Sequence, residues 1–195
     1  MRCDLSAVSG ALRGTAVLLL AALAGVAGCD DDFGPFPWDS TPITVSVYSL
    51  AREELHGLPA AIDFTTVQAM RVDLPGASGL WDIALSEVDG EFVWLPAGAI
   101  SGIGLRPGIA VIENQAFEDV IRAPRDTAAY TWTEPVPVRT DVVYVIRAGR
   151  RTGSACVFYG KAEVVTVDDE AGRVDLSIVQ NPVCNDRSLV PPDER

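Results

Sequence analysis

Histidine is almost missing from this chain: His56 is the single one in 195 residues. Methionine stops at two, and lysine plus arginine at 15 against 27 acidic side chains. Each scarcity excludes something. A serine or cysteine nucleophile ordinarily needs an imidazole base, and His56 sits in a short charged stretch beside Glu53, Glu54 and Gly57 that reads as surface. No GxSxG, P-loop or HExxH pattern occurs, and Gly76-Ala77-Ser78-Gly79 lacks the spacing of a nucleophile elbow. Gly102-Ile103-Gly104 has Pro107 where a dinucleotide fingerprint needs its third glycine, so it reads as loop. The expectation is a protein that is not an enzyme. The acidic surplus repels nucleic acid and anionic head groups, so no nucleic-acid partner is expected.

Long apolar runs are lacking too. A spanning helix needs about 20 apolar residues, and residues 15–28 fall short. That stretch follows Arg2 and Arg13 and ends in Val26-Ala27-Gly28-Cys29. A basic start, a short apolar core and small residues at a cleavage point are the layout of a secretory signal. The cysteine directly after the small residues resembles the lipobox of bacterial lipoproteins. That resemblance implies a signal over residues 1–28, lipidation of Cys29, and a protein held on a membrane of the bacterial envelope. Acyl chains contribute about 0.8 kcal/mol per buried methylene, and stable anchoring takes more than one chain, a condition a multiply acylated Cys29 meets.

Of the four cysteines, Cys3 lies within the signal and Cys29 takes lipid, which leaves Cys156 and Cys184. An even pair in an exported chain reads as a structural disulfide. A metal site would need further cysteine or histidine ligands, and no metal is expected. The acids Asp168-Asp169-Glu170 could hold Ca²⁺, but in a tight turn Asp serves the turn itself.

The rest of the chain is strand-like. Residues 29–41 read as a lipidated tether, with Asp30, Asp31 and Asp32 before Pro and aromatics. Phe33, Phe36 and Trp38 within it either pack locally or dock onto the domain or a partner. Ile43, Val45 and Val47 alternate with polar neighbours, a period of two. The run Trp81-Asp82-Ile83-Ala84-Leu85 leads to Asp89-Gly90, a strong hairpin signal, and a second arm over residues 91–95. Trp81 and Trp94, on opposite arms, supply core area or an aromatic platform for a ligand. Ala116 to Arg122 is the one plausible helical turn, and Pro124, Pro135 and Pro137 mark loop or edge. Residues 142–147, 156–167 and 173–180 read as three further strands.

Pairing the last two strands so that partner numbers sum to about 340 sets Ala162 opposite Ile178, Val164 opposite Leu176 and Thr166 opposite Val174. The other face then carries Lys161, Glu163, Val165 and Val167 opposite Val179, Ser177, Asp175 and Arg173, a solvent face. The same register puts Cys156 opposite Cys184, and Pro182 is where a bulge could shift it. Residues 42–185 are expected to form one all-β domain, a predominantly antiparallel sheet or sandwich with at most one short helix, and residues 186–195 a tail.

Three segments together resemble the HmuY-type family, all-β lipoproteins that bind haem at the bacterial surface: Trp81-Asp82-Ile83-Ala84-Leu85, Val143-Tyr144-Val145-Ile146-Arg147, and Tyr159-Gly160-Lys161-Ala162-Glu163-Val164. The resemblance spans roughly residues 62–180. It implies a non-catalytic binding module and makes haem a conceivable ligand. The family's two axial histidines are absent, since His56 lies upstream of the resemblance; Met70 is the other available donor, and a lone Met on an alternating strand is ordinarily core. No cofactor follows from the residues themselves. The functional expectation is capture of a small hydrophobic ligand, or contact with an envelope protein, with Trp81, Trp94 and Tyr144 as lining residues. The competing expectation is an immunoglobulin-like structural module of the envelope with no ligand.

Overall fold

The computed structural model describes residues 38–194, apart from 78, 101, 105 and 150–152. Cys29, the leader and most of the tether lie outside the described residues. Ten strands form two antiparallel sheets. The first holds β1 (Ile43–Tyr48), β10 (Arg173–Asn181), β9 (Tyr159–Asp168), β8 (Val142–Arg147) and β6 (Gly108–Glu113), in that order. The second runs β3 (Gln68–Met70), β2 (Ala61–Asp63), β4 (Ile83–Val88), β5 (Glu91–Pro96) and β7 (Val136–Pro137). The helical content described is four single 3₁₀ turns, and Ala116 to Arg122 holds a non-helical turn instead.

Alternation builds the layers. Val45 and Val47 of β1, Val174, Leu176 and Ile178 of β10, and Ile83 and Leu85 of β4 turn inward. Both sheets contribute to one buried cluster, so they pack face to face as a sandwich. Asp89 and Gly90 both adopt positive φ, 53° and 85°, and close the β4–β5 hairpin with Leu85 opposite Trp94. That is the geometry a two-residue primed turn demands. Val136–Pro137 is a two-residue edge strand, where a residue without an N–H is tolerated.

The expected β9–β10 register holds from Tyr159 to Val164, with Ala162 opposite Ile178 and Val164 opposite Leu176. It shifts by one at Val165: Thr166 faces Asp175, Val167 faces Val174 and Asp168 faces Arg173. The bulge therefore sits near the closed end of the hairpin, not at Pro182, and the extra residue Val165 points to solvent. Cys156 and Cys184 are disulfide-bonded with Cα atoms 5.1 Å apart. They lie just beyond the ladder, where Asn185 and Val157 exchange backbone and side-chain hydrogen bonds. A closure of this length stabilises by roughly 3.5 kcal/mol in the chain-entropy model.

Two expectations about the first sheet are corrected. Its outer face is only partly solvent: Val165 and Val167 are exposed as expected, but the part around Lys161 and Val179 is covered. The segment between β6 and β7 and the chain after β10 lie across part of it, burying Val143, Val145 and Val179 with Phe117, Val120 and Tyr130, and Lys161 beneath the Phe117 and Val120 carbonyls. The start of the expected tail, residues 186–191, is consequently not free, because Leu189 is fully buried and Ser188 and Val190 nearly so. Trp38 also packs against this second cluster, so the end of the tether is docked on the domain. β8 shows the cause in its sequence. Val142 to Ile146 are five consecutive buried residues, as a strand covered on both faces requires.

Candidate functional site

Trp81, Trp94 and Tyr144 are core residues. Trp94 meets Tyr144 edge-on at 6.2 Å between ring centroids inside the main cluster, and Trp81 anchors a third cluster with Ala61, Ala84 and Ala97. Each is at most 2% exposed. The Tyr144 hydroxyl donates to the Pro137 carbonyl at 2.8 Å and accepts from the Arg139 N–H. Burial pushes its pKa up to about 12, opposed by the Arg139 hydrogen bond. These rings fix the sandwich and offer no face to a ligand.

The three segments that carry the family resemblance do meet. Asp82, fully buried, accepts hydrogen bonds from the Phe64 N–H (2.8 Å) and from the Gly149 N–H just past β8 (2.7 Å). Arg147 pairs with Tyr159 in the β8–β9 ladder. This convergence is structural: a buried carboxylate that ties the start of β4 to the end of β8 across the sandwich.

The chain opens a cavity elsewhere, where it crosses from one sheet to the other between β1 and β2. Ser49, Leu50, Leu55, Leu58, Ala60 and Val72 line a space of about 300 Å³, together with His56, Gly57 and Asp73. The crossing turns through the 3₁₀ segment Glu53–Leu55 and then Gly57 at φ 92°, a left-handed value an L side chain rarely adopts. The Arg71 guanidinium lies 3.5 Å from where a Cβ of residue 57 would be. Arg71 grips Asp73 through two bonds of 3.1 and 2.6 Å, which hold the Asp73 carboxyl below its ordinary pKa. Ser49 is buried. Its oxygen accepts from the Ala51 N–H at 3.2 Å, and its own proton meets no acceptor among the described residues.

Ser49, His56 and Asp73 thus border one cavity without the hydrogen bonds of a nucleophile–base–carboxylate relay, and Asp73 is occupied by Arg71. The arrangement can hold an aliphatic body and present it with one buried hydroxyl donor, an imidazole and an ion pair. A bis-histidine haem does not fit these donors. His56 is the chain's single imidazole, and Met70 is packed against the cluster around Trp81. Among the described residues no group of three or more His, Cys, Asp or Glu side chains is placed to hold a metal ion. In the β9–β10 turn the Asp168 carboxylate accepts from the Ala171 N–H, so it serves the turn.

A second hollow, about 280 Å³, lies on the outer face of the first sheet between Ser40, Phe117, Leu189 and Glu194. Its floor is Lys161, the chain's one lysine beside 14 arginines, and it is 3% exposed. The Lys161 Nζ donates to the carbonyls of Phe117 (2.6 Å) and Val120 (3.2 Å) and sits 4.5 Å from the centre of the Phe117 ring. Burial pushes its pKa down while Glu118, Glu163, Glu194 and Asp119 favour its charge. Burial in turn raises Glu163, and Glu118 adds to that. Sequence reasoning placed Lys161 on a solvent face. The signal that could have found it is its singularity, since a chain that otherwise uses arginine kept one lysine in a strand next to buried valines.

The fold and cavity define a two-sheet antiparallel β sandwich with an aliphatic side pocket. No family model, curated protein or solved structure matches the chain.

Proposed function

We propose that the chain is an exported, lipid-anchored, non-catalytic module that takes a small, mostly aliphatic ligand into the cavity beside Ser49. The observation that carries the reading is the cavity's make-up: aliphatic walls with a few convergent polar groups, one a buried hydroxyl whose proton meets no acceptor among the described residues. A volume near 300 Å³ is at the lower limit for ligand sites and suits roughly ten water-sized groups at about 30 Å³ each. Leu58, a lining residue that is partly exposed, carries the apolar character out to solvent. The lipobox-like end of the leader supports export and anchoring at Cys29.

Every described core cluster is built from residues 38 onward, so a chain beginning at Asp30 keeps the fold. That chain should bind a neutral environment-sensitive dye such as N-phenyl-1-naphthylamine saturably. Leu58→Trp, which fills the mouth, should abolish at least nine-tenths of the fluorescence gain without changing the melting temperature by more than a few degrees. Undiminished dye binding by Leu58→Trp sinks the cavity as the site. The anchor has its own measurement: cells expressing the whole chain should incorporate labelled fatty acid, and Cys29→Ala should remove the label. The competing reading, an immunoglobulin-like structural module, draws on the closed packing of Trp94 and Tyr144 in the main core. It expects no saturable dye binding at all.

A further inference from the structure

Eight of the described arginines divide into two sets. Arg52, Arg71, Arg139 and Arg173 each pair with a carboxylate: Glu87, Asp73, Glu113 with Asp141, and Asp168 with Asp175. Arg122, Arg125, Arg147 and Arg187 make no ion pair among the described residues. In so acidic a chain, four arginines without a carboxylate partner among the described residues call for a reason.

They belong to one region. Residues 121–123 run against residues 187–189, with Arg122 opposite Ser188 and the Ala123 N–H donating to the Arg187 carbonyl. The Arg187 side chain donates to the Ala123 carbonyl at 3.1 Å. Arg125 is exposed and follows Pro124, whose carbonyl accepts the Tyr130 hydroxyl. Arg147 lies 5.3 Å over the ring of Trp132, which sits 5.6 Å from Tyr130. Gly108 keeps that ring in place, because a Cβ there would come within 2.9 Å of it. Arg147 and Arg187 are also the two cations that act on the Tyr130 hydroxyl. Half-buried Tyr159, opposite Arg147 in the ladder, adds a third aromatic edge.

The register says which end of the sandwich this is. Gly108 pairs with Arg147, Arg147 with Tyr159, and Tyr159 with Asn181. Asn181 lies three residues beyond Ile178, the partner of Ile43, the first residue of β1. The tether therefore enters at the end that carries the arginines, and Trp38 packs on the same outer cluster as Trp132 and Tyr159. Trp38 follows Cys29 by nine positions, a span of about 30 Å at most. An anchored domain on so short a leash presents this end to the bilayer.

The geometry points to a membrane-docking face: Arg147, Arg187 and Arg125, framed by Trp132 and Tyr159, engage the anionic head groups of the membrane that holds the anchor. Arginine with tryptophan and tyrosine is the composition that suits the water–lipid boundary. The chain's net charge of −12 does not forbid this. At physiological salt the Debye length is about 8 Å, so the face meets the surface locally and the distant acids are screened, leaving Asp126 and Asp186, chain neighbours of Arg125 and Arg187, as the acids that oppose the contact. The orientation rests on the anchored reading above; the head-group contact is testable without it.

The chain beginning at Asp30, with no acyl group, is mixed with vesicles of neutral phosphatidylcholine or of phosphatidylcholine with phosphatidylglycerol, and sedimented. Binding to the anionic vesicles alone, weakening with added salt, is the expected result. Each arginine near an anionic surface contributes about a fivefold change in partitioning, so Arg147→Gln with Arg187→Gln should weaken binding by roughly 25-fold. Arg139→Gln, at an ion-paired site away from this end, should leave it unchanged. If the double variant melts early, the surface change Arg125→Glu carries the same direction of effect. No binding to anionic vesicles at low salt overturns the inference, as does equal binding by the double variant. Capture of a poly-glutamate peptide without vesicle binding would assign the face to an acidic protein and overturn the bilayer as its occupant. Because the probe lacks lipid, failure of fatty-acid labelling at Cys29 would leave these outcomes readable.

Discussion

Asp82→Ala should cost about 4–5 kcal/mol, a large share of the 5–15 kcal/mol that holds a domain of this size folded. The carboxylate is fully buried and spends one oxygen on the Phe64 N–H and the other on the Gly149 N–H. Hydrogen bonds to a charged group are worth about 1.5–3 kcal/mol each, and removing the acceptor strands two buried donors. These donors sit on different sheets, Phe64 just past β2 and Gly149 just past β8, so the change also loosens the sandwich at this end. Asp82→Asn keeps one acceptor and turns an amide N–H toward a backbone N–H. Its expected cost is about half as large, which keeps the effect measurable should the alanine variant fail to fold. Urea unfolding gives the answer as a lower midpoint at unchanged slope. An alanine variant within about 1 kcal/mol of the parent would show that the clasp does not hold the sheets.

What could be read from the residues, and what could not, follows from how local each signal is. The Asp89-Gly90 turn needs two positive φ values in a row and announces itself. The β9–β10 pairing from Tyr159 to Val164 follows from period two alone, and it carried the Cys156–Cys184 bond with it. The bulge at Val165 left no mark, because a valine outside the ladder looks like one within it. β2 has three buried residues and no alternation, and β6 places Ile109 in one cluster and Ala110 in another, so neither shows a polar face. The cavity was invisible for a different reason. Leu55 and Leu58 are split by His56 and Gly57 in a charged stretch, and only the fold brings Ala60 and Val72 beside them. The aromatics Trp81, Trp94 and Tyr144 misled because a large ring serves a core and a ligand platform equally well until its burial is known.

Lys161→Met should cost about 4 kcal/mol, and the pH dependence of that loss separates it from ordinary packing damage. Methionine fills nearly the volume of the lysine stem, so the penalty falls on the carbonyls of Phe117 and Val120, left without their donor at about 1–3 kcal/mol each. Those carbonyls belong to the segment that covers the outer face of the first sheet, and its loss would expose Val143, Val145 and Val179 together. Hydrogen exchange should therefore quicken first in residues 114–123. Burial lowers the folded-state pKa of Lys161 below the unfolded value near 10.4. Below the folded value both states hold the proton, and the cost of burying the charge is constant. Between the folded value and 10.4 the unfolded state binds more protons, so the contribution of this group to stability rises with pH there and levels off above it. The parent should show that alkaline rise and Lys161→Met should lack it, as urea midpoints across pH 7 to 11 would reveal. An identical alkaline profile in both would mean that the ammonium is hydrated, and that the outer layer is held by its apolar contacts alone.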